Sequence, residues 1–258
     1  MDLAICIAVK NRSNLIVQQE DPIATYKHIA DKIIKLPVNS TNLYFPPTLN
    51  SDGTITLNLL PKMLMSLTTI KRPTDNWTVI VVDYESTDFN VEMICKSSLP
   101  TIPYIVHTEK ATFSRGTGLD IAATIAKEKG HKALFFCDSD MYFTDSTIFD
   151  KGQKSLEENK IFYPICFSFT LPSHEEGYWR HSGYGMLFIK TETYFNSSRW
   201  KHNISWGEED NNLFRNFPKS SIEREKVNGY FHQWHPNSMD FKTLNYPIKE
   251  YIGKSAIN

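Results

Sequence analysis

Residues 132–143 read Lys-Ala-Leu-Phe-Phe-Cys-Asp-Ser-Asp-Met-Tyr-Phe, an apolar run that ends in two carboxylates, Asp138 and Asp140. The five consecutive apolar residues 133–137 are typical of a strand that is buried on both faces, as in a parallel sheet. We therefore expect the carboxylates to follow the carboxyl end of this strand, where open α/β sheets bind ligands. Side chains alternate along an extended chain, so both carboxylates are expected on one side, where they can share a hard divalent cation.

The composition fits a globular enzyme and shows no feature of a nucleic-acid-binding protein. The chain has 258 residues, of which 41% are hydrophobic, and its 28 Lys and Arg against 29 Asp and Glu give a formal net charge of -1. This length suits one large α/β domain or two small ones. Without a long basic run, binding to nucleic acid is not expected. The four cysteines form no C-x-x-C pair and are predicted to be reduced and buried.

No targeting or membrane-spanning segment is recognisable in the sequence. The N-terminus lacks a basic region followed by an apolar core, and the chain has no run of about 18 uninterrupted apolar residues. The sequence as written therefore predicts a cytoplasmic protein without a transmembrane segment, for which peripheral membrane contact remains open.

Strand-like and helix-like segments alternate along the chain, as in a doubly wound α/β sheet. Besides the strand at 133–137, buried strands are predicted at 3–9, 77–83, 102–107, 161–170 and 187–190. Helices are predicted at 57–70 and 119–129, with apolar residues at helical spacing in the first of them. The pattern loosens over residues 14–53, which are interpreted as an insertion.

Three polar residues stand at or after predicted strands of the N-terminal half. Arg12 follows the first strand, Asp83 ends the second, and Arg115 lies before the helix at 119–129. A cation at this edge can bind a phosphate, and an acid can bind a ribose or a uracil edge. A solvated turn or a helix cap explains the same residues, and both interpretations stay open. Gly116-Thr117-Gly118 lacks the third glycine of the dinucleotide fingerprint, so dinucleotide binding is not expected.

Two glycines and a run of acids mark the C-terminal half. Gly183 and Gly185 permit close backbone approach beside aromatic residues that can face a sugar, although a β-bulge explains them as well. The acids of Ser205-Trp206-Gly207-Glu208-Glu209-Asp210 fit the start of a helix. Capping alone requires fewer acids, and this excess keeps a catalytic interpretation open. An ionised carboxylate at the start of a helix can act as a base towards a sugar hydroxyl.

His232 and His235 form an H-x-x-H pair, which is a weak signal when it stands alone. The chain has no H-E-x-x-H, so a zinc-protease helix is not expected. If an imidazole of this pair lies beside Asp140, the two would form an oxygen and nitrogen site that suits Mn²⁺.

Together and in this order, these motifs resemble the GT-A glycosyltransferases, and among them the β-1,4-galactosyltransferases and the chondroitin N-acetylgalactosaminyltransferases. The resemblance covers nearly the whole chain apart from residues 14–53 and the C-terminal tail. D-x-D alone is weak, whereas D-x-D followed by W-G-x-E-D and H-x-W-H is specific. The matching stretches are Val9-Lys10-Asn11-Arg12, Phe113-Ser114-Arg115-Gly116, Phe135-Phe136-Cys137-Asp138-Ser139-Asp140, Phe162-Tyr163-Pro164, Gly183-Tyr184-Gly185-Met186, Trp206-Gly207-Glu208-Glu209-Asp210 and Phe231-His232-Gln233-Trp234-His235.

The resemblance implies an α/β GT-A (Rossmann-like) fold, with a mixed, mostly parallel sheet flanked by helices in a single domain over residues 1–258. It implies a nucleotide-binding half at about 1–145, a half for the donor sugar and the acceptor at about 146–258, and an insertion at about 14–53. The implied reaction transfers a hexose or N-acetylhexosamine, with GalNAc or Gal favoured, from a UDP-sugar to a glycan hydroxyl with inversion. Mn²⁺ or Mg²⁺ is the implied cofactor.

The resemblance also implies roles for individual residues on the metal and on the donor. Asp140 and His235 resemble metal ligands, His232 a further ligand, and Asp138 a contact to the ribose or to a metal-bound water. Donor contacts are implied for a second group: Arg12, Asp83, Arg115, Gly185 and the sugar-stacking Trp206.

For the reaction itself, the resemblance makes Asp210 the general base and Glu209 the acid that orients the sugars. The sequence departs from the galactosyltransferases at Glu208, where they have a second glycine. Two other classes of function remain open. One is a metal-dependent nucleotidyltransferase or phosphohydrolase that uses Asp138 and Asp140, and the other is a non-catalytic module that binds glycans or nucleotides.

Overall fold

The computed structural model describes residues 1–13, 15–18, 34–35, 48–51, 54–170, 174–201 and 209–235. Within these ranges the strands are β1 (Asp2–Val9), β2 (Leu15–Gln18), β3 (Ile34–Lys35), β4 (Thr48–Leu49), β5 (Thr54–Leu57), β6 (Asn76–Asp83), β7 (Tyr104–Thr108), β8 (Ala133–Phe136), β9 (Met141–Phe143), β10 (Ile161–Phe162), β11 (Ile165–Phe169), β12 (Glu176–Trp179), β13 (Leu187–Lys190), β14 (Ile222–Glu223) and β15 (Lys226–His232). The helices are α1 (Leu59–Ile70), α2 (Val91–Ser98), α3 (Arg115–Glu128), α4 (Thr147–Glu157), α5 (Thr191–Phe195) and α6 (Glu209–Arg215).

A seven-stranded sheet forms the centre of the fold, in the order β14-β10-β13-β8-β1-β6-β7. Strands β8, β1, β6 and β7 pair in parallel, and β13 is antiparallel to both of its neighbours, β8 and β10. Both predicted halves of the chain contribute strands to this sheet. The sheet is therefore mixed and mostly parallel, as predicted.

Helices cover both faces of the seven-stranded sheet because its central strands are apolar on both sides. In β1, Leu3 and Ile5 pack with apolar residues of α1, α2 and α4, whereas Ala4 and Cys6 pack with α3 and α5. Successive side chains of a strand point to opposite faces, so the continuous apolar run of β1 requires a helical layer on each side. All four cysteines are free and buried, as predicted.

A second sheet, in the order β3-β12-β11-β15-β9, carries the C-terminal part of the site. Strand β9 follows the carboxylates at the end of β8 and pairs antiparallel with β15, with Met141 opposite His232. This register brings the residue after Asp140 directly beside the first histidine of the H-x-x-H pair. A third, antiparallel sheet of β2, β5 and β4 is formed from residues 15–18, 54–57 and 48–49.

The predicted helix at 119–129 begins four residues earlier, at Arg115. Ser114 is its N-cap, and its side chain accepts a hydrogen bond from the backbone N–H of Thr117. Gly118 lies inside the helix, where an added Cβ would come within 2.7 Å of the Ala8 side chain. Gly118 therefore allows α3 to approach β1 closely, and Gly116 allows the close approach of the Lys201 carbonyl, so both glycines serve helix packing.

The predicted strand at 161–170 is two strands, β10 and β11, which lie in different sheets. Tyr163 and Pro164 separate them, and proline has no N–H with which to continue a ladder. The chain passes from one sheet to the other here, with the N–H groups of Tyr163 and Ile165 bound to the carbonyls of Glu223 and Glu225. Among the described helices, none is long and apolar enough to cross a membrane.

Candidate functional site

Polar side chains gather where the central parallel strands end, as the sequence predicted. The segment after β1 is bound to the segment after β6, because Asn11 accepts a hydrogen bond from the Thr87 N–H at 2.7 Å. Asp83, the last residue of β6, accepts one from the Ser86 N–H at 3.0 Å and so stabilises the turn that follows it. These bonds fix the edge of the sheet beside which Asp138 and Asp140 lie.

Asp140, His232 and His235 form one cluster, with potential ligand atoms that all lie within 4.8 Å of one another. Asp140 Oδ2 lies 3.2 Å from His235 Nε2, and Asp140 Oδ1 lies 3.8 Å from His232 Nε2. The backbone holds this arrangement, since the N–H of Gln233 donates to the carbonyl of Asp140 at 2.8 Å. The buried side-chain amide of Gln233 donates to the carbonyls of Met141 and Leu59. Strand pairing and one buried glutamine thus bring together the distant residues that the sequence predicted.

The His232 ring is held with one nitrogen directed to the cluster. Its Nδ1 lies 3.2 Å from the hydroxyl of Ser168, so a proton on Nδ1 leaves the lone pair of Nε2 facing Asp140 and His235. Burial lowers the pKa of His232 well below its ordinary value, and the cation of Arg180 lowers it further. A neutral imidazole is the form that binds metal ions.

The donor set of the cluster fits a divalent cation. Burial raises the pKa of Asp140, but the hydrogen bond with His235 and the cation of Arg12 oppose this effect, and the pKa of Asp140 lies below its ordinary value, so the carboxylate stays ionised. Among the described residues, its buried Oδ1 accepts no hydrogen bond. The Nε2 atoms of His232 and His235 face each other at 3.3 Å. Two imidazole nitrogens and a buried carboxylate oxygen that converge in this way match the ligands of first-row divalent ions.

Arg115 joins three segments of the site. Its Nε donates to Asp138 Oδ1 at 2.6 Å, and its Nη2 donates to the carbonyl of Gly185 at 2.8 Å. Its Nη1 lies 3.7 Å from Glu209 Oε1. The guanidinium also lies 5.2 Å from the centroid of the Trp200 ring, close enough for a cation–π contact. Arg115 therefore neutralises the two acids and fixes the loop that contains Gly185.

Glu209 and Asp210 begin α6 and face different partners. Burial raises the pKa of Glu209, and the opposing attraction of Arg115 does not cancel this effect. Asp210 accepts a hydrogen bond from the Tyr184 N–H at Oδ2, at 3.1 Å, and one from the Asn211 N–H at Oδ1, at 2.8 Å. Each carboxylate oxygen has two lone pairs, so Asp210 keeps acceptor capacity on both oxygens.

A family model for the chondroitin N-acetylgalactosaminyltransferases matches residues 89–249, which is more than half of the chain. The chain belongs to the chondroitin N-acetylgalactosaminyltransferase family. Chondroitin sulfate N-acetylgalactosaminyltransferase 1 of Homo sapiens is 33% identical over 145 residues, which cover 48% of this chain and 27% of that protein. Chondroitin sulfate synthase 3 of Homo sapiens is 26% identical over 166 residues, which cover 57% of this chain and 19% of that protein. The matched region thus spans about a quarter or less of these relatives.

Solved structures share the fold of this family member at low sequence identity. Residues 1–349 of TarS from S. aureus, in complex with UDP-GlcNAc, superpose with a TM-score of 0.58 and 12% identity, covering 100% of this chain and 67% of that chain. The predicted GT-A fold class is thereby confirmed. At this identity the likeness concerns the fold alone.

Three other predicted site residues of this family member, Arg12, Asp138 and Trp206, differ in what the structure shows of them. The Arg12 guanidinium lies near the cluster of Asp140, His232 and His235, and its charge contributes to lowering the pKa of both Asp140 and His232. Asp138 accepts a hydrogen bond from Arg115 and is not part of the cluster of Asp140, His232 and His235. The binding of one cation by both Asp138 and Asp140 therefore stays a prediction. Trp206 lies outside the described residues.

Several residues of the site were not predicted from the sequence of this family member. Ser168, Gln233 and Tyr184 orient His232, Asp140 and Asp210 through hydrogen bonds across strands and loops, which leave no motif. Arg180 and Arg224 were missed for a different reason. Each is a single arginine among the 28 Lys and Arg residues of the chain. Only the fold places Arg180 near Asp140 and His232, and Arg224 against the backbone carbonyls of His181 and Gly183.

Proposed function

We propose that this chain is an inverting glycosyltransferase that moves a hexose or N-acetylhexosamine from a UDP-sugar to a glycan hydroxyl, with a divalent metal ion as cofactor. The observation that carries the proposal is the cluster of Asp140, His232 and His235, together with Arg115, which binds Asp138 and lies 3.7 Å from Glu209 at the start of α6. It joins ligands for a metal ion and candidate acids for sugar chemistry in a chain of a transferase family.

The departing group is a nucleoside diphosphate, whose negative charge must be stabilised. Bound by Asp140, His232 and His235, Mn²⁺ would supply Lewis-acid stabilisation of that charge. The chain's own cations add to it: Arg12 and Arg180 surround the cluster closely enough to lower the pKa of His232. Asp138 and Asp83 are proposed to bind the ribose and uracil side of the donor from the ends of β8 and β6, with Gly185 beside them.

Asp210 is the proposed general base. It would take the proton of the acceptor hydroxyl while that oxygen attacks the anomeric carbon, and the bond from this carbon to the diphosphate breaks as UDP leaves. Its two backbone hydrogen bonds fix the carboxylate and leave acceptor capacity for the hydroxyl. Positioned base catalysis of this kind contributes roughly 10²- to 10⁴-fold.

Glu209 and Trp206 are proposed to orient the sugars. Among the described residues, the buried Oε2 of Glu209 has no hydrogen-bond partner. The other carboxylate oxygen, Oε1, lies 3.7 Å from Arg115 Nη1. An acceptor atom such as Oε2 can take a hydrogen bond from a sugar hydroxyl. Trp206 is proposed to stack on a sugar ring because of its place in the Trp-Gly-x-Glu-Asp stretch.

The donor sugar is proposed to be an N-acetylhexosamine, with GalNAc first and Gal next. The names of the relatives specify N-acetylgalactosamine, and TarS was crystallised with UDP-GlcNAc. Neither defines the acceptor or the linkage of this chain, because the match spans about a quarter of the relatives' length.

The test is UDP release from UDP-GalNAc, UDP-GlcNAc, UDP-Gal and UDP-Glc, with a chondroitin oligosaccharide panel as acceptors. Each donor is assayed with Mn²⁺, Mg²⁺, Fe²⁺ or EDTA, since two imidazoles and a carboxylate bind several divalent ions. We expect metal-dependent release of UDP with one N-acetylhexosamine donor preferred, and an activity loss of roughly 10²-fold or more in Asp210→Asn.

Other products would favour the alternative functions. Pyrophosphate or free phosphate in place of UDP would indicate a nucleotidyltransferase or phosphohydrolase. Calorimetric binding of UDP without turnover of any donor and acceptor pair would indicate a binding module. Turnover that persists in EDTA, or in Asp210→Asn, would contradict the proposed mechanism.

A further inference from the structure

We propose that Arg224 is a positioning residue for Asp210, and that it acts through the loop of residues 181–185. The inference rests on the proposed function, in which Asp210 is the general base. It assigns Arg224, which does not touch the acids, the task of fixing the loop whose backbone binds the Asp210 carboxylate.

The contact between the loop and the proposed base is a backbone hydrogen bond. Tyr184 N–H donates to Asp210 Oδ2 at 3.1 Å, and it joins residues 26 positions apart. Among the residues that the structure describes, the other hydrogen bond to the carboxylate comes from Asn211, its neighbour in sequence. Tyr184 is therefore the group that orients Asp210 relative to the rest of the site, and the position of the loop determines the direction of the carboxylate.

The loop has no regular secondary structure; Arg115 binds the carbonyl of Gly185 at one end of it, and Arg224 binds the part before Tyr184. The Nη2 of Arg224 donates to the carbonyls of His181 and Gly183 at 2.7 Å and 3.1 Å. Gly183 has φ +102, a left-handed conformation that glycine adopts without steric cost. Two carbonyls bound by one guanidinium nitrogen keep this turn closed, in an arrangement that a lysine ammonium on a flexible stem would reproduce poorly.

Aromatic packing connects the same arginine to the helix of the base. The Arg224 guanidinium carbon lies 4.4 Å from the centroid of the Tyr184 ring. That ring stacks on Phe214 at 3.9 Å, and Phe214 lies one helical turn after Asp210 on α6. Tyr184 thus contacts α6 twice, through its N–H and through its ring, and Arg224 packs against it.

Arg224 is itself anchored on the edge of the seven-stranded sheet. The preceding residue, Glu223, belongs to β14, and its carbonyl accepts from the Tyr163 N–H at 2.9 Å. The following residue, Glu225, accepts from the Ile165 N–H at 2.8 Å. Because its backbone is bound on both sides, Arg224 transmits the position of the rigid sheet to the loop. The loop in turn transmits it to Asp210.

A base misplaced by about 1 Å can slow a reaction by roughly 10²-fold without weakening substrate binding. We therefore expect Arg224→Met, which keeps length and apolar volume, to lower kcat by roughly 10- to 100-fold. The KM for the UDP-sugar should stay within about threefold, because the proposed donor contacts lie outside the loop except for Gly185, and Arg115 holds the Gly185 carbonyl without Arg224. Arg224→Lys keeps the positive charge near the Tyr184 ring but replaces the planar guanidinium with an ammonium on a flexible stem. Its kcat should lie between those of the wild type and Arg224→Met.

The experiment compares kcat, KM and amide hydrogen exchange in the wild type, Arg224→Met, Arg224→Lys and the control Arg72→Met. Arg72 is an arginine with two carboxylate partners, Asp75 and Asp150, at the opposite end of β6. Peptides that contain the Tyr184 amide should exchange faster in Arg224→Met and in Asp210→Ala than in the wild type. Arg72→Met should change neither kcat nor this exchange.

Failure of the proposed function and failure of the inference about Arg224 give different results. A wild-type protein without transfer activity refutes the proposed function, and the exchange at Tyr184 still decides whether Arg224 holds the loop. If the wild type is active, the inference is overturned by Arg224→Met with kcat within twofold of wild type. It is also overturned if kcat falls in Arg224→Met and Arg224→Lys while the exchange at Tyr184 stays unchanged. If Arg224→Met fails to fold, Arg224→Lys carries the same comparison.

Discussion

Replacing Arg115 by methionine should destabilise the protein strongly and make its stability dependent on pH. The substitution removes the hydrogen bond to Asp138 at 2.6 Å, the hydrogen bond to Gly185 at 2.8 Å and the charge 3.7 Å from Glu209. The side chains of Arg115, Asp138 and Glu209 are 20%, 30% and 10% exposed. These values lie between those of a surface pair and a buried one.

The expected size follows from these values. Breaking a fully buried ion pair costs about 3–5 kcal/mol, and breaking an exposed one costs about 1 kcal/mol or less. For the partly buried Arg115 we expect a loss of about 2–4 kcal/mol in the free energy of unfolding at pH 7. In a chain of this size, that loss lowers Tm by roughly 5–15 °C.

The stability of Arg115→Met should also depend on pH in a way that can be measured independently of the loss at pH 7. Burial already raises the pKa of Glu209, and Arg115 opposes that rise, so the pKa should rise further in Arg115→Met. A carboxyl group with a folded pKa above its unfolded value costs stability at higher pH, and the cost disappears as the pH falls and the group is protonated. The stability deficit of Arg115→Met relative to the wild type should therefore narrow between pH 7 and pH 5.

Urea unfolding at pH 5, 6 and 7 measures both quantities, with Arg72→Met as the matched arginine control. The Arg72 side chain is 44% exposed, so its replacement should cost about 1 kcal/mol or less. A deficit below about 1 kcal/mol for Arg115→Met, or one that is constant from pH 7 to pH 5, would refute the role of Arg115 as the charge that neutralises Glu209.

Three further predictions follow from single residues. Gly118→Ala places a Cβ 2.7 Å from that of Ala8 and should cost about 1–3 kcal/mol in thermal unfolding; an unchanged Tm would contradict the close packing of α3 on β1. His235→Ala should weaken Mn²⁺ binding by at least about tenfold in calorimetry, and unchanged affinity would exclude it as a ligand. Burial lowers the pKa of Lys62 to about 8, so Lys62→Met should stabilise the fold by about 1–2 kcal/mol at pH 7. This gain should shrink as the pH rises from 8 to 10.5, and a gain independent of pH would contradict it.

The parts of the fold predicted from the sequence are those that local pattern determines. The apolar run before Asp138 requires a strand buried on both faces, and β8 lies there with helices on both sides of its sheet. Interpreting the two motifs together paired Asp140 with His235, and the structure brings these side chains together; their role as metal ligands stays a prediction. Its geometry depends on the pairing of β9 with β15, which no residue pattern around Asp140 or His235 specifies.

The interpretation of the sequence was wrong where tertiary packing overrides local preference. Residues Gly116 and Gly118 disfavour a helix when considered alone, yet both are buried in α3, because a Cβ at either position would collide with neighbouring segments. For Arg115, the sequence indicated a cation beside a helix start, and its contact to a phosphate stays a prediction. Its contacts to Asp138, Gly185 and Glu209 arise from segments up to 94 positions away, which only the folded chain brings together.

The central claim is inverting, metal-dependent transfer from a UDP-sugar, with Asp210 as the base. The most direct test is proton NMR of the product formed from UDP-GalNAc, or from the best donor of the panel, in the presence of Mn²⁺. We predict a β-linked product from the α-linked donor, none in EDTA, and a rate roughly 10²-fold or more lower in Asp210→Asn. An α-linked product, or a β-linked product formed at an undiminished rate by Asp210→Asn, would contradict the claim.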